Sequence, residues 1–464
     1  MSGADAAFSL SIAGFLELIL TQKIKQAQAF FLVFANSPNH RFIAVAKCAE
    51  DQGSQVVPVE VGVFPVSVHS TKNMEIERLR AFAVLLTIMT HVHPKNFPHE
   101  LFVAWGGVDL FFVISGFVIT NSLLALLPAY SEESTFLQRL DCSRSALKIF
   151  FTKRIYRIVP LAVAVAVLSF VFNASTQTEL NGLFRETVGL LSGFYNYSLA
   201  ANMHPREAYS VYWSLAVEEH FYAIFPFFLI AAATLRRRVI FLVVSILAVA
   251  FVIRPLATAG VDFSDWVQWR ASTHLRADPL MVGALIALGR SQGISYELTT
   301  GSKKILSEIV FVLLCGVWLS TALLDGDHPK LMPYLLTLLW MVSGGLVFLA
   351  SLEKGVVLNF PILSRLLEYV GSRSYSLYLS HYLTYHVMLY MQGLLITLYP
   401  SSIGKISNFA SILVIYIAIF IFAEALHRTV EIPFMQRGSE RVKKLAVQNP
   451  VLEMQFPKHL DRAS

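Results

Sequence analysis

The sequence predicts an all-α polytopic membrane protein, with about ten transmembrane helices in one bundle. Three observations predict it. First, the 464 residues are 55% hydrophobic and only 15% charged, with 35 Phe and a mean hydropathy of +0.58, too apolar for an ordinary soluble chain. Second, apolar segments of spanning length recur, divided by short polar breaks. Third, Lys and Arg fall unevenly between alternate breaks, as the positive-inside rule requires. The net charge of +6 then reads as basic loops beside anionic lipid, with no nucleic-acid partner implied. Cys48, Cys142 and Cys315 have no CxxC spacing, so no metal site is implied.

Taken in order, residues 1–73 match the rest poorly. The apolar run from Ala6 to Leu20 is short for a span, and Gly53, Pro58 and Pro65 break any helix in the mixed stretch between residues 21 and 73. This extension is expected to be poorly packed or the product of a mis-called start, or else to hold an interfacial helix near residues 9–34. Met74 opens the first span, MEIERLRAFAVLLTIMTHVHP, and AWGGVDLFFVISGFVIT is the second. A polar stretch over residues 128–148 precedes FFTKRIYRIVPLAVAVAVLSFVF, the third. After a long connection, VYWSLAVEEHFYAIFPFFLIAAA is the fourth, closed by Arg236, Arg237 and Arg238. Further spans are expected at about 239–256, 273–289, 305–324, 331–350, 374–398 and 407–427. The membrane domain is thus 74–434, and 435–464 is a short polar cytoplasmic tail.

With the first span running outward from the cytoplasm, the inner side receives Arg139, Arg144, Lys148, Arg154, Arg157, the triple Arg236–Arg238, Arg290, Lys303, Lys304, Lys354, Arg365 and Arg373. The outer side receives only Lys95, Arg185, Arg206, Arg270, Lys330 and Lys405. Both termini are then cytoplasmic, in an inner or plasma membrane.

Ionisable residues inside spans are costly and mark sites. Arg80 and His91 are eleven residues apart, about three turns plus 20°, so they share one helix face roughly 16 Å apart along the axis. Arg154 and Arg157 share a face at the mouth of the third span. Their guanidinium forks suit phosphate, or they simply anchor the inner end. Glu218 and Glu219 lie two turns into the fourth span, as acid, base or ion-pair partners of Arg276. Ser374, Tyr378 and His381 form a polar seam at i, i+4 and i+7, lining a cavity or joining helices. The orientation sorts these groups into two layers. The inner layer holds Arg80, Lys153, Arg154, Arg157, Ser374, Ser376 and His381. The outer layer holds His91, Asp109, Trp213, Glu218, Glu219, Arg276 and Asp278.

Seven stretches in order, RAFAVLLTIMTH, GGVDLFFVISGF, KRIYRIVP, YWSLAVEEHFY, RADPLMVGALIA, GSRSYSLYLSH and VEIPF, resemble the acyltransferase 3 family of integral-membrane O-acyltransferases. The resemblance runs from residue 74 to about 434 and suggests the stand-alone form, without an SGNH hydrolase-like domain. It implies transfer of an acyl group, commonly acetyl from acyl-CoA, to a hydroxyl of a carbohydrate, with no permanently bound cofactor. It points to His91 as catalytic, with Arg80 its companion and Glu218 in the fourth-span motif with Trp213 and Ser214. Arg154 and Arg157, with Lys153 in the same basic cluster, are implied as contacts for the CoA phosphates. Asp109, Trp213, Ser214, Arg276, Tyr378 and His381 are the expected substrate-lining residues. The rival class is a transporter or channel using the same polar stripe, which an inverted repeat would favour; none is evident.

Overall fold

The computed structural model describes residues 72–93, 106–131, 133–176, 180–200, 209–259, 270–293, 299–324, 332–399 and 408–447. The interfacial helix expected near residues 9–34 lies outside them. Every regular element among the described residues is a helix. In chain order they are α1 (Met74–His91), α2 (Gly107–Leu124), α3 (Phe136–Cys142), α4 (Arg144–Thr176), α5 (Leu180–Leu191), α6 (Tyr195–Ala200) and α7 (Tyr212–Ala231). Next, α8 (Leu235–Ala248) passes through a π-helical turn (Val249–Ile253) into α9 (Arg254–Thr258). Then come α10 (Thr273–Arg276), α11 (Asp278–Arg290), α12 (Thr300–Leu324), α13 (Met332–Ser351), α14 (Leu363–Ser372) and α15 (Ser374–Leu398). Last, α16 (Asn408–Leu426) continues through a second π turn (His427–Glu431) into α17 (Ile432–Val447).

The start of α1 is fixed by polar chemistry. The Asn73 side chain accepts the N–H of Ile76 at 3.1 Å and donates to the Ala350 carbonyl at 2.9 Å, so the cap also ties α1 to the end of α13. Glu75 accepts the backbone N–H groups of Gly355 (2.7 Å), Val356 (3.2 Å) and Val357 (2.8 Å). A carboxylate in the first turn also suits the helix dipole.

Small residues set how closely the helices meet. A Cβ on Gly116 of α2 would lie 1.9 Å from the Leu280 carbonyl oxygen, and one on Gly283 of α11 would lie 2.0 Å from that of Val113. Only glycine permits this backbone contact, the small-residue packing typical of membrane helices. Phenols lock α4 to its neighbours: Tyr212 donates to the Ala162 carbonyl and Tyr375 to that of Ile158, both at 2.8 Å.

Outward faces are apolar. On α4, Ile155, Val159, Val163, Val167 and Val171 recur every fourth residue and are exposed, while Ile158, Leu161 and Val165 are buried. An exposed apolar stripe along a 33-residue helix belongs against lipid. Among the described residues, six helical stretches are long and apolar enough to cross a membrane. The chain is therefore a multi-pass membrane protein, and the expectation of ten spans is not established by these six. Of the other expected spans, α1 carries four charged residues and α11 has only 13 residues. Residues 435–447, expected as polar tail, belong to α17, which packs on α4 so tightly that a Cβ at Gly438 would meet the Tyr156 side chain at 2.6 Å.

Candidate active site

A cleft of about 790 Å³ opens between α1, α2, α4, α7 and α15. Each helix contributes polar groups at helical spacing: Arg80 from α1, Ser115 from α2, Arg154 and Arg157 from α4, and Ser214, Glu218 and Tyr222 from α7. Ser374, Tyr375 and Tyr378 of α15 complete the wall. Ser214, Glu218 and Tyr222 are each four apart, so one face of α7 presents all three.

The Glu218 carboxylate accepts the Ser115 hydroxyl on Oε1 and the Tyr222 phenol on Oε2, both at 2.7 Å. Arg80 and Arg154 act on it electrostatically. Arg80 itself donates to Glu77 at 3.0 Å, and Glu77 also meets Lys72 at 3.2 Å. Arg154 donates to Ser122 at 3.3 Å. Among the described residues, three guanidiniums thus line a cleft whose walls hold one carboxylate. That excess suits a polyanion, since Arg forks match phosphate oxygens.

His91 and His381 form a second cluster. His91 Nδ1 lies 2.9 Å from the Thr87 carbonyl oxygen and 3.1 Å from His381 Nε2. The Tyr382 ring stands edge-on to His91 at 4.7 Å. Neither imidazole lines the cleft; Tyr378 stands at the junction. Its ring packs on His381 at 6.0 Å, its hydroxyl shares a hydrogen with Ser214 at 2.5 Å, and it forms part of the cleft wall.

The two-layer sorting is corrected in two places. Glu218 shares the cleft with Arg80, Arg154 and Arg157, the arginines assigned to the inner layer. His381, assigned to that inner layer, meets His91 of the outer one. A count of residues from span ends does not give the packing of one helix on another, which brings Glu218 to the arginines and His381 to His91.

Of the expected lining residues, Ser214 and Tyr378 face the cleft. Asp109 and Arg276 do not: they pair with each other at 2.7 Å and are buried to within 1%. That pair replaces the anticipated one between Arg276 and Glu218 or Glu219. A second buried pair, Arg254 with Asp278, stands beside it. Arg254 also donates to the Leu275 carbonyl at 2.9 Å and to Thr337 at 3.2 Å. Trp213 turns from the cleft to pack edge-on against Phe112 at 6.1 Å, with the Arg270 guanidinium 5.5 Å above its ring. Lys153 is exposed and off the cleft, because one residue of helix rotates it ~100° from Arg154.

Ser115, Tyr222 and Tyr375 are site residues that the sequence did not single out. Tyr222 had a signal, its i+4 spacing from Glu218. Ser115, inside an apolar run, had none.

The model of the acyltransferase-domain family, acyltransferase 3, matches residues 73–428. The chain is similar to a putative peptidoglycan O-acetyltransferase, YrhL, of Bacillus subtilis, with 28% identity over 66% of this chain and 48% of that protein. It is similar to the peptidoglycan O-acetyltransferase OatA of Listeria monocytogenes, with 27% identity over 78% of this chain and 56% of that protein. An uncharacterized protein of Haemophilus influenzae is 30% identical over 45% of this chain and 84% of its own length. The chain therefore spans about half the length of the two named acetyltransferases. No solved structure matches it. With a family model running from the cap of α1 to the second π turn, the chain belongs to the acyltransferase 3 family.

Proposed function

We propose that this protein moves an acyl group, acetyl in the first instance, from cytoplasmic acyl-CoA to a hydroxyl of a surface or cell-wall carbohydrate. The observation that carries the reading is the junction at Tyr378, where an arginine-lined cleft meets a pair of imidazoles. The donor and the acceptor chemistry then have adjoining but distinct places.

In this reading Arg154 and Arg157 hold the donor's phosphates, with Arg80 deeper in the same cleft. The positive-inside bias puts the basic mouth of α4 on the cytoplasmic side, where acyl-CoA is found, and both termini with it. The thioester arm reaches past Tyr378 to His91. A carbohydrate hydroxyl is a poor nucleophile at neutral pH, and His91 takes its proton as the new C–O bond forms. Attack on the thioester carbonyl builds an oxyanion, which hydroxyl or guanidinium donors along the path stabilise. Glu218, held at both oxygens by Ser115 and Tyr222, offsets part of the charge of Arg80 and Arg154 in the cleft. The relatives named as peptidoglycan O-acetyltransferases make a cell-wall glycan the first acceptor to try.

The test is direct. The purified full chain, in lipid vesicles with acetyl-CoA and a cell-wall oligosaccharide, should release free thiol and raise the mass of the acceptor by one acetyl group. Oligosaccharides from several glycans that all stay unmodified, with no thiol release, would contradict the proposal.

A further inference from the structure

The hydrogens of the two imidazoles are assigned by their neighbours. A carbonyl oxygen only accepts. The Thr87 oxygen lies 2.9 Å from His91 Nδ1, so that nitrogen carries a hydrogen. The Tyr378 and Leu377 oxygens lie 2.7 and 3.2 Å from His381 Nδ1, so that nitrogen carries one too. No carboxylate bonds to His381 among the described residues, so nothing there favours a second proton. Neutral His381 therefore offers a lone pair on Nε2, and this atom lies 3.1 Å from His91 Nδ1. The opposite assignment would set a lone pair of His91 Nδ1 against the Thr87 oxygen at 2.9 Å.

We infer that His381 is a positioning residue: with Thr87 it holds the hydrogen of His91 on Nδ1, leaving Nε2 of His91 as the nitrogen that takes the acceptor's proton. The inference rests on the reading of His91 as the base. As the acceptor oxygen attacks the thioester carbonyl carbon, its O–H proton passes to His91 Nε2. The C–S bond then breaks, and that proton goes to the departing thiolate sulfur. In between, His91 is an imidazolium whose Nδ1–H is directed at two acceptors, which strengthens both bonds. The logic is that of an imidazole oriented by a third group, with a neutral ring in the place of a carboxylate. His381 is fully buried and lies off the cleft, so it does its work through His91.

Two variants separate this role from packing. His381→Phe keeps an aromatic ring and removes the acceptor; His381→Gln restores an acceptor oxygen. The first readout is spectroscopic and needs no acceptor: the full chain, labelled with ¹⁵N-histidine in lipid vesicles, with His91→Gln identifying the His91 resonances. The expected spectrum has Nδ1 of His91 protonated and Nε2 bare, with Nδ1 moving in His381→Phe. A protonated Nε2, or an Nδ1 that does not respond, overturns the inference.

The second readout is thiol release from acetyl-CoA. His381→Phe should lower kcat by about 10²-fold, leave the KM for acetyl-CoA within about three-fold, and be restored about ten-fold in His381→Gln. On a His91→Ala background His381→Phe should change nothing further, because the two act as a unit. Losses that multiply instead would show that His381 acts independently. Full activity of His91→Ala would overturn the base assignment itself, a failure the spectrum distinguishes.

Discussion

At the residue scale the site divides by what each side chain touches. Arg154 and Arg157 face the cleft and Lys153 does not. Charge-assisted contacts to phosphate contribute roughly 1.5–3 kcal/mol each. Arg154→Ala should therefore raise the KM for acetyl-CoA about ten-fold or more, and Arg154→Lys should recover only part, since the fork is lost. Lys153→Ala should leave that KM nearly unchanged. Steady-state titration of donor against fixed acceptor checks all three. The spacing of three in Arg154 and Arg157 made these residues legible, because a helix turns such spacing into a shared face; Glu218 stood out as a carboxylate inside a span, and Ser214 only through the family resemblance. The partner of Glu218 on α2 was not legible. Ser115 is 103 residues away, and nothing local in an apolar run says which of its faces meets α7.

At the scale of elements, the contact between α2 and α11 lies in the buried interior of the bundle. Gly116→Val would drive side-chain atoms into the Leu280 carbonyl and should cost about 1–3 kcal/mol by overpacking. A lowered thermal midpoint of the detergent-solubilised protein is the measurement. Asp109 of α2 pairs nearby with Arg276 of α10, the short helix that leads into α11. Asp109→Ala strands the buried Arg276 guanidinium, whose Nε and Nη1 already lack partners, and breaking such a pair typically costs about 3–5 kcal/mol. It should reduce folded yield and midpoint together, and any protein that does fold should keep its donor KM. A changed donor KM with an unchanged midpoint would return Asp109 to the substrate path. The sequence flagged Asp109 and Arg276 correctly as unusual, since intramembrane charges are rare. It could not say that they neutralise each other, because the partners stand 167 residues apart in sequence and only the packing of the helices brings them together.

For the whole molecule, the all-helical class and the membrane setting followed from composition and from runs of apolar residues. The sequence also placed spans at α1 and α15, but these helices carry polar site residues and are not among the six stretches of the described residues apolar enough to cross a membrane. The orientation rests on loop charge. Reporter tags after Arg238 and at the C-terminus should lie in the cytoplasm, and a tag near Asn202 should lie outside. An exterior C-terminal tag would contradict the proposed topology. The central claim is that one intramembrane imidazole takes the acceptor's proton, and His91→Gln tests it most directly. Glutamine keeps much of the size and hydrogen bonding of His91 but cannot accept a proton at neutral pH. The measurement is kcat for acetyl transfer from acetyl-CoA, at saturating donor and acceptor, with folded protein quantified. A fall of at least ~10²-fold is expected, with donor binding retained. Wild-type turnover in His91→Gln would contradict it and assign His91 to structure alone.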